Sequence, residues 1–287
     1  MDNAATSFPK PPAVHQAMMR FATDIGASPG RGGYAEAREA GRLMGVCRQR
    51  LVKLIHGDAQ APQQVIFTLN TTDALNLAIR GLLQPGAAHR PAGHRGHMIT
   101  TWLDHNSVLR PFNALIDQWG LRQTRVECDP QTGLVDPEDI RRAIRPDTGL
   151  IAVVHGSNVT GTLQPIRAIG AIARAHQVPF LVDAAQTLGH VPLDVEADGI
   201  DLLAFPGHKG LHGPLGTGGL WIRPGLEQSM RPIREGGTGS VSERDTQPDF
   251  LPDRFEAGSH NAIGIIGLSE GVAWVLEQTV AKLWRRE

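Results

Sequence analysis

The residues best able to do chemistry sit directly after short apolar runs. Residues 65–69 lead into Asn70-Thr71-Thr72, 97–102 into Asp104-His105, and 150–154 into His155-Gly156-Ser157-Asn158. Residues 180–182 lead into Asp183-Ala184-Ala185-Gln186, and 202–205 into Pro206-Gly207-His208-Lys209-Gly210. Two hydroxyls at the start of a helix, Thr71 and Thr72, suit a phosphate, because orphan N–H groups and the helix dipole favour an anion there. The same residues would equally serve as a plain helix cap. A carboxylate closing a buried strand, Asp183, is costly unless a cation or strong donor meets it. A lysine in a glycine-rich turn, Lys209, can approach a carbonyl ligand closely, and partial desolvation makes its amine nucleophilic near neutral pH. A phosphate cradle, a buried carboxylate and a turn lysine together form the set that holds pyridoxal 5'-phosphate, with lysine as the Schiff-base partner and aspartate on the pyridinium nitrogen.

Competing chemistries fit less well. The order G-x-x-x-x-G-K-[ST] is absent around Lys209, since Gly210 follows it, and no G-x-G-x-x-G opens a helix. His208 and His212 are four apart on a Gly/Pro-rich turn rather than on a helix, which disfavours a zinc site. His89, His94 and His97 lie among prolines and glycines between a helix and a strand, and read as a solvated loop with adventitious metal binding at most.

The elements that must position these groups follow from hydrophobic spacing. Apolar residues at Ala40, Leu43, Met44, Cys47, Leu51 and Leu54 mark an amphipathic helix over 36–55 and put Cys47 on its buried stripe, as a core residue rather than a reactive thiol. Strands are predicted at 65–69, 97–102, 124–128, 150–154, 180–182, 202–205 and 219–222. Helices are predicted at 72–83, 107–119, 136–144 (Asp136 as cap, Pro137 at the first helical position) and 165–175, with a long closing helix from 262 to about 284. Strands alternating with helices imply βαβ units, hence an α/β fold with a mostly parallel seven-stranded sheet flanked by helices. In such a sheet a ligand sits outside the carboxyl ends of the strands, where the groups named above are placed.

Composition narrows the class. The chain has 287 residues with 28 Lys plus Arg against 29 Asp plus Glu, a formal net charge of −1, which argues against nucleic acid or an anionic membrane as partner. Two cysteines cannot form a disulfide framework and fit a reducing, cytoplasmic location. Neither a signal pattern nor a membrane-length apolar run is evident.

Several blocks, in order, resemble class V aminotransferase-fold enzymes that use pyridoxal phosphate, and within them the cysteine desulfurase and selenocysteine lyase group. These are Asp2-Asn3-Ala4-Ala5-Thr6, residues 67–77 (FTLNTTDALNL), Ser157-Asn158-Val159-Thr160-Gly161-Thr162, Val182-Asp183-Ala184-Ala185-Gln186, Gly207-His208-Lys209, residues 235–240 (EGGTGS) and residues 255–261 (FEAGSHN). The resemblance implies the large domain of fold-type I pyridoxal phosphate transferases over 1–261, with 262–287 a connecting helix leading to a small C-terminal domain that is largely missing. It implies that Lys209, His105 and Asp183 are catalytic, with His105 against the ring face. Asn158 and Gln186 would contact the ring's phenolic oxygen, and Thr71, Thr72 and His208 the phosphate. Ser259 would reach a neighbouring subunit's phosphate, which makes a homodimer. The implied activity is L-cysteine desulfuration, with persulfide formed, alanine released and sulfur passed to an acceptor protein. The alternatives are another reaction of the class (aminotransfer, β-elimination or epimerisation) or a non-catalytic cofactor-binding remnant. The family's acceptor cysteine and substrate-clamping arginine lie beyond position 287, so a C-terminally truncated form with impaired sulfur transfer is expected. Pro206 replaces the family's Ser and Asn70 its common Gly.

Overall fold

The computed structural model describes residues 2–30, 32–85 and 96–286. Seven strands form one sheet: β1 (Val65–Thr68), β2 (His97–Thr101), β3 (Arg122–Val126), β4 (Thr148–Val154), β5 (Phe180–Asp183), β6 (Leu202–Pro206) and β7 (Gly218–Ile222). Their spatial order is β1-β7-β6-β5-β4-β2-β3. All neighbouring pairs are parallel except those made by β7, which runs antiparallel to both β1 and β6. Two reversals cancel, so β1 points the same way as the other five strands and its carboxyl end lies at the same edge.

The alternation of side chains along the strands divides the core into two layers. Ile151, Val153, Phe180, Val182, Leu203, Phe205 and Trp221 face one side. There they pack with α2 (Ala35–Leu54), α6 (Ile166–Ala175) and α7 (Ala262–Gln278), through Met44, Cys47, Ile169, Leu268 and Val272 among others. Leu150, Ala152, Leu181, Leu202, Ala204 and Leu220 face the other side, against α3 (Thr71–Leu83) and α4 (Asn106–Trp119), whose Leu75, Ile79, Phe112 and Leu115 are buried. Cys47 lies on the buried stripe as expected, and burial pushes its thiol up to about 12, which makes it inert as a nucleophile at neutral pH.

Local chemistry explains most boundaries. The α5 helix (Pro137–Ala143) has Asp136 as its cap, accepting from Glu138 N at 2.9 Å, and Pro137 at the first turn. At the far end of α4, Gly120 takes the left-handed conformation at φ 66° and ends the helix.

Three features depart from the sequence reading. A first helix, α1 (Pro12–Arg20), runs into a π-helical turn, Phe21–Ile25, and packs on α7. Val14, Ala17, Met18 and Phe21 follow the i, i+3, i+4, i+7 spacing after Pro11-Pro12, so this helix is legible in the sequence although the expectations above pass over it. The closing helix is broken: Thr279 sits at φ 62°, and α8 (Val280–Trp284) continues beyond it. Neither Gly nor Pro marks that break in the sequence. His97 is fully buried in β2, hydrogen-bonded to Thr148 Oγ1 (2.8 Å) and Thr124 Oγ1 (2.9 Å), and burial lowers its pKa to about 4. It is a neutral core residue and not part of a solvated histidine loop; His89 and His94 lie outside the described residues.

Candidate active site

The carboxyl ends of β4, β5 and β6 and the amino ends of α3 and α4 enclose a cavity of about 260 Å³. Thr71, Thr72, His105, Asn158, Asp183, Gln186, His208 and Lys209 all line it. A space of this size suits one small ring rather than an extended ligand. Ser259 does not line it. It is exposed and lies in a separate groove with Gly216, His260 and Asn261.

Asp183 and Lys209 are brought together by two adjacent parallel strands and by the loops that follow them. The loop after β5 and the loop after β6 touch through glycines. A Cβ on Gly189 (φ +92°) would fall 2.4 Å from Gly210 O, and one on Gly210 would fall 2.4 Å from Leu188 O. Only residues without side chains allow that approach. The Asp183 carboxylate is 3% exposed and, among the described residues, accepts one hydrogen bond, from Ala185 N at 2.9 Å. Burial raises its pKa from the ordinary 3.8 to about 6, against the opposing pull of that hydrogen bond and of the Lys209 charge. Burial in turn lowers the pKa of Lys209, partly offset by Asp183 and Asp2.

The lysine loop is pinned from behind by the amino-terminal arm. The His208 carbonyl accepts from Ser7 N (3.0 Å), Ser7 Oγ (3.1 Å) and Thr6 Oγ1 (3.0 Å), with Lys10 Nζ at 3.5 Å. On its other flank, Glu256 anchors the 255–261 segment to the sheet. It pairs with Arg48 through two hydrogen bonds (2.8 and 2.7 Å) and accepts from Phe67 N at 2.7 Å.

The anion end of the cavity is built at the start of α3. Asn70 caps that helix by accepting from Asp73 N at 3.0 Å, so neither Thr71 nor Thr72 is the cap. Their position in the first turn places both among N–H groups that favour an anion. His208 Nδ1 is buried and, among the described residues, has no hydrogen-bond partner. An orphaned donor or acceptor in a site wall is what a missing ligand atom would satisfy.

His105 caps α4, with its Nδ1 accepting from Ser107 N at 3.1 Å. Burial first, then the charges of Lys209 and Arg110, lower its pKa, so the ring is neutral at pH 7. Asp104, beside it, is a buried clip. It accepts from Val154 N (2.7 Å), Thr101 N (2.6 Å) and Thr101 Oγ1 (3.0 Å), joining the ends of β2 and β4.

Ser107 is the cavity residue that sequence reasoning missed. Its hydroxyl lies 2.8 Å from Thr72 Oγ1 and 2.9 Å from His105 Nδ1. The available signal was its place two residues after His105 at a helix start, where a serine normally reads as a local cap. His212, by contrast, turns its ring onto Trp274 at 4.6 Å, away from any partnership with His208. Among the described residues, no group of three or more His, Cys, Asp or Glu could hold a metal ion, and no helix is long and apolar enough to cross a membrane.

The raised pKa of Asp183 has a consequence for the protein free of any ligand. A carboxyl whose pKa rises on folding contributes stability that is fully present below its unfolded value, 3.8, and is lost as pH rises through about 6. Asp183→Asn keeps the acceptor for Ala185 N and removes the buried charge. Thermal unfolding of the ligand-free protein at pH 7.5 should therefore show the variant more stable by roughly 2–3 kcal/mol, with the gain vanishing below about pH 4. Equal stability of the two proteins at pH 7.5 would mean that the carboxylate is already neutralised by Lys209.

The model of the family "Aminotransferase class-V" matches residues 1–287. A probable cysteine desulfurase of Methanothermobacter thermautotrophicus is 34% identical over 276 residues, covering 95% of this chain and 66% of that protein. Cysteine desulfurase IscS of Dictyoglomus turgidum is 32% identical over 272 residues, covering 95% and 62%. The chain thus spans about two thirds of the length of these curated relatives. Among solved structures, an apo cysteine desulfurase from Thermococcus onnurineus NA1 superposes with a TM-score of 0.87 at 32% identity, covering 99% of this chain and 68% of that one. A structure described as SspA in complex with cysteine superposes with a TM-score of 0.81 at 29% identity, covering 95% and 71%.

Proposed function

Since the chain belongs to the class-V aminotransferase family, we propose that it is the cofactor-binding body of a pyridoxal phosphate-dependent, cysteine desulfurase-like enzyme acting on L-cysteine. The observation that carries this reading is the convergence of Lys209 and the buried Asp183 on one cavity whose far end is the start of α3. The donor set fits the cofactor. The Asp183 carboxylate awaits a positive partner, the His208 Nδ1 lacks one, and the two threonines stand at a helix start. Thr71, Thr72 and His208 would hold the phosphate, Asn158 and Gln186 the phenolic oxygen, and His105 the ring face. Pyridoxal phosphate, when bound, supplies an aldehyde that captures amines and a ring that draws electrons from the carbon attached to them.

The chain's own residues supply the rest. Asp183 would favour a protonated ring nitrogen, because burial makes its own negative charge costly without a positive partner. Lys209, whose pKa burial lowers, would hold the cofactor through its amine and would be the base for the substrate's α-proton. Neutral His105 has its ring oriented by Ser107 N.

Sulfur transfer needs a thiolate. Cys47 is buried, and neither Cys47 nor Cys128 lines the cavity. The accepting thiol would therefore belong to a segment outside these residues or to an acceptor protein. Residues 1–261 would form the large domain and 262–287 the link towards a small one. Ser259, exposed outside the cavity, would reach the site of a second subunit in a homodimer. Two free cysteines accord with a cytoplasmic location.

The test is product analysis with L-cysteine, pyridoxal phosphate and excess dithiothreitol as thiol acceptor and reductant. Alanine and sulfide should appear in equal amounts, two thiol equivalents being oxidised per sulfur released. Keto acid without sulfide would replace desulfuration by aminotransfer. Keto acid with sulfide would replace it by β-elimination, and a coloured protein without turnover would leave only cofactor binding.

A further inference from the structure

We propose that Ser107 is a positioning residue that aims the Thr72 hydroxyl at an anion in the cavity. The proposal rests on the pyridoxal phosphate reading and deepens it at the phosphate end. The argument is a count of protons. Neutral imidazole has one acceptor nitrogen, and in His105 that lone pair is taken by Ser107 N, 3.1 Å away. The ring proton is thereby placed on Nε2. The Ser107 hydroxyl, although 2.9 Å from the same Nδ1, is then free to donate elsewhere, and Thr72 Oγ1 stands 2.8 Å from it.

Each hydroxyl carries a single proton. If Ser107 donates to Thr72, the Thr72 proton is not used on Ser107, and with Asn70 as the cap the Thr72 oxygen keeps its lone pair for the Ser107 hydroxyl. The Thr72 proton is left to point into the cavity that Thr72, Ser107 and His105 all line. An anion there receives a donor already oriented, with no competing acceptor to leave. The neutral state of His105 is part of the device. A proton on Nδ1 would displace the Ser107 N–H and turn the serine into an acceptor, reversing the chain. Burial first, and then the charges of Lys209 and Arg110, oppose that proton and keep the chain in one direction.

The test compares two ligands that differ only in the phosphate. Full-length protein freed of cofactor is titrated with pyridoxal 5'-phosphate and with pyridoxal. The phosphate form is expected to bind more tightly to the natural protein. Ser107→Ala should weaken pyridoxal phosphate by about 5- to 10-fold, the scale of one ordinary hydrogen bond, because only the orientation of the Thr72 donor is lost, and leave pyridoxal unchanged. Ser107→Thr, which keeps the hydroxyl, should restore the difference. Thr72→Ala combined with Ser107→Ala should be no weaker than Thr72→Ala alone, because the serine acts only through the threonine. Equal weakening of both ligands, additive losses in the double variant, or an unchanged Ser107→Ala would overturn the proposal while the cofactor reading stands. A natural protein that does not prefer the phosphate form would overturn both.

Discussion

Replacing Lys209 with alanine is expected to abolish the covalent tie to pyridoxal phosphate. The purified variant loses the yellow absorption of the bound cofactor, or holds the cofactor only as a loose aldehyde, and borohydride treatment no longer fixes it to the chain. The argument is chemical before it is geometric. A Schiff base requires an amine that is neutral often enough to attack, and burial on the floor of the cavity lowers the Lys209 pKa in that direction. Among the described residues no other lysine lines the cavity. The other lysine near the loop, Lys10, lies behind it on the His208 carbonyl and does not line the cavity. Alanine at 209 leaves the arm contacts to the His208 carbonyl in place, since these are made to the backbone. Loss of colour therefore reports the amine and not a collapsed loop. A borohydride-stable linkage that survives in the variant would assign the amine elsewhere.

Asp183→Asn is expected to keep much of the colour and lose most of the chemistry. In the proposed reading the covalent tie would need only Lys209, whereas removal of an α-proton would need a ring that carries positive charge. Asparagine preserves the acceptor for Ala185 N and cannot hold that charge. The rate of α-proton exchange of an amino acid in deuterated water should fall by roughly 10²- to 10³-fold, the scale of losing one preorganised electrostatic partner. This readout is independent of any sulfur acceptor, so it isolates the part of the reaction that these residues can perform. Exchange at the natural rate would remove Asp183 from the ring nitrogen. The same substitution stabilises the ligand-free protein above pH 6 and cripples the loaded one, as expected of a buried charge whose partner is the ligand.

Much of the architecture was legible because it depends on local spacing. The helix over Ala35–Leu54 and the burial of Cys47 follow from the apolar repeat, and Asp136-Pro137 marks the start of α5 through cap chemistry. The motifs at the strand ends also converge as the parallel-sheet rule requires, so Thr72, His105, Asp183 and Lys209 meet at one edge. Two elements were missed. The first helix carries its own signal, Val14, Ala17, Met18 and Phe21 at helical spacing, and only its place on α7 is set by a partner some 250 positions away in the chain. The break at Thr279 carries neither Gly nor Pro.

The sequence by itself determined the set of reactive groups and the edge of the sheet that carries them, because residue type and strand-end position are properties of short stretches. Tertiary structure alone decided how each group's protons and charges are disposed. The reversal of β7, the burial that lifts Asp183 and the hydroxyl of Ser107 between Thr72 and His105 all join residues from separate elements. Hydrogen-bond direction and desolvation depend on which groups meet across the fold, and spacing along one strand or helix does not contain that information.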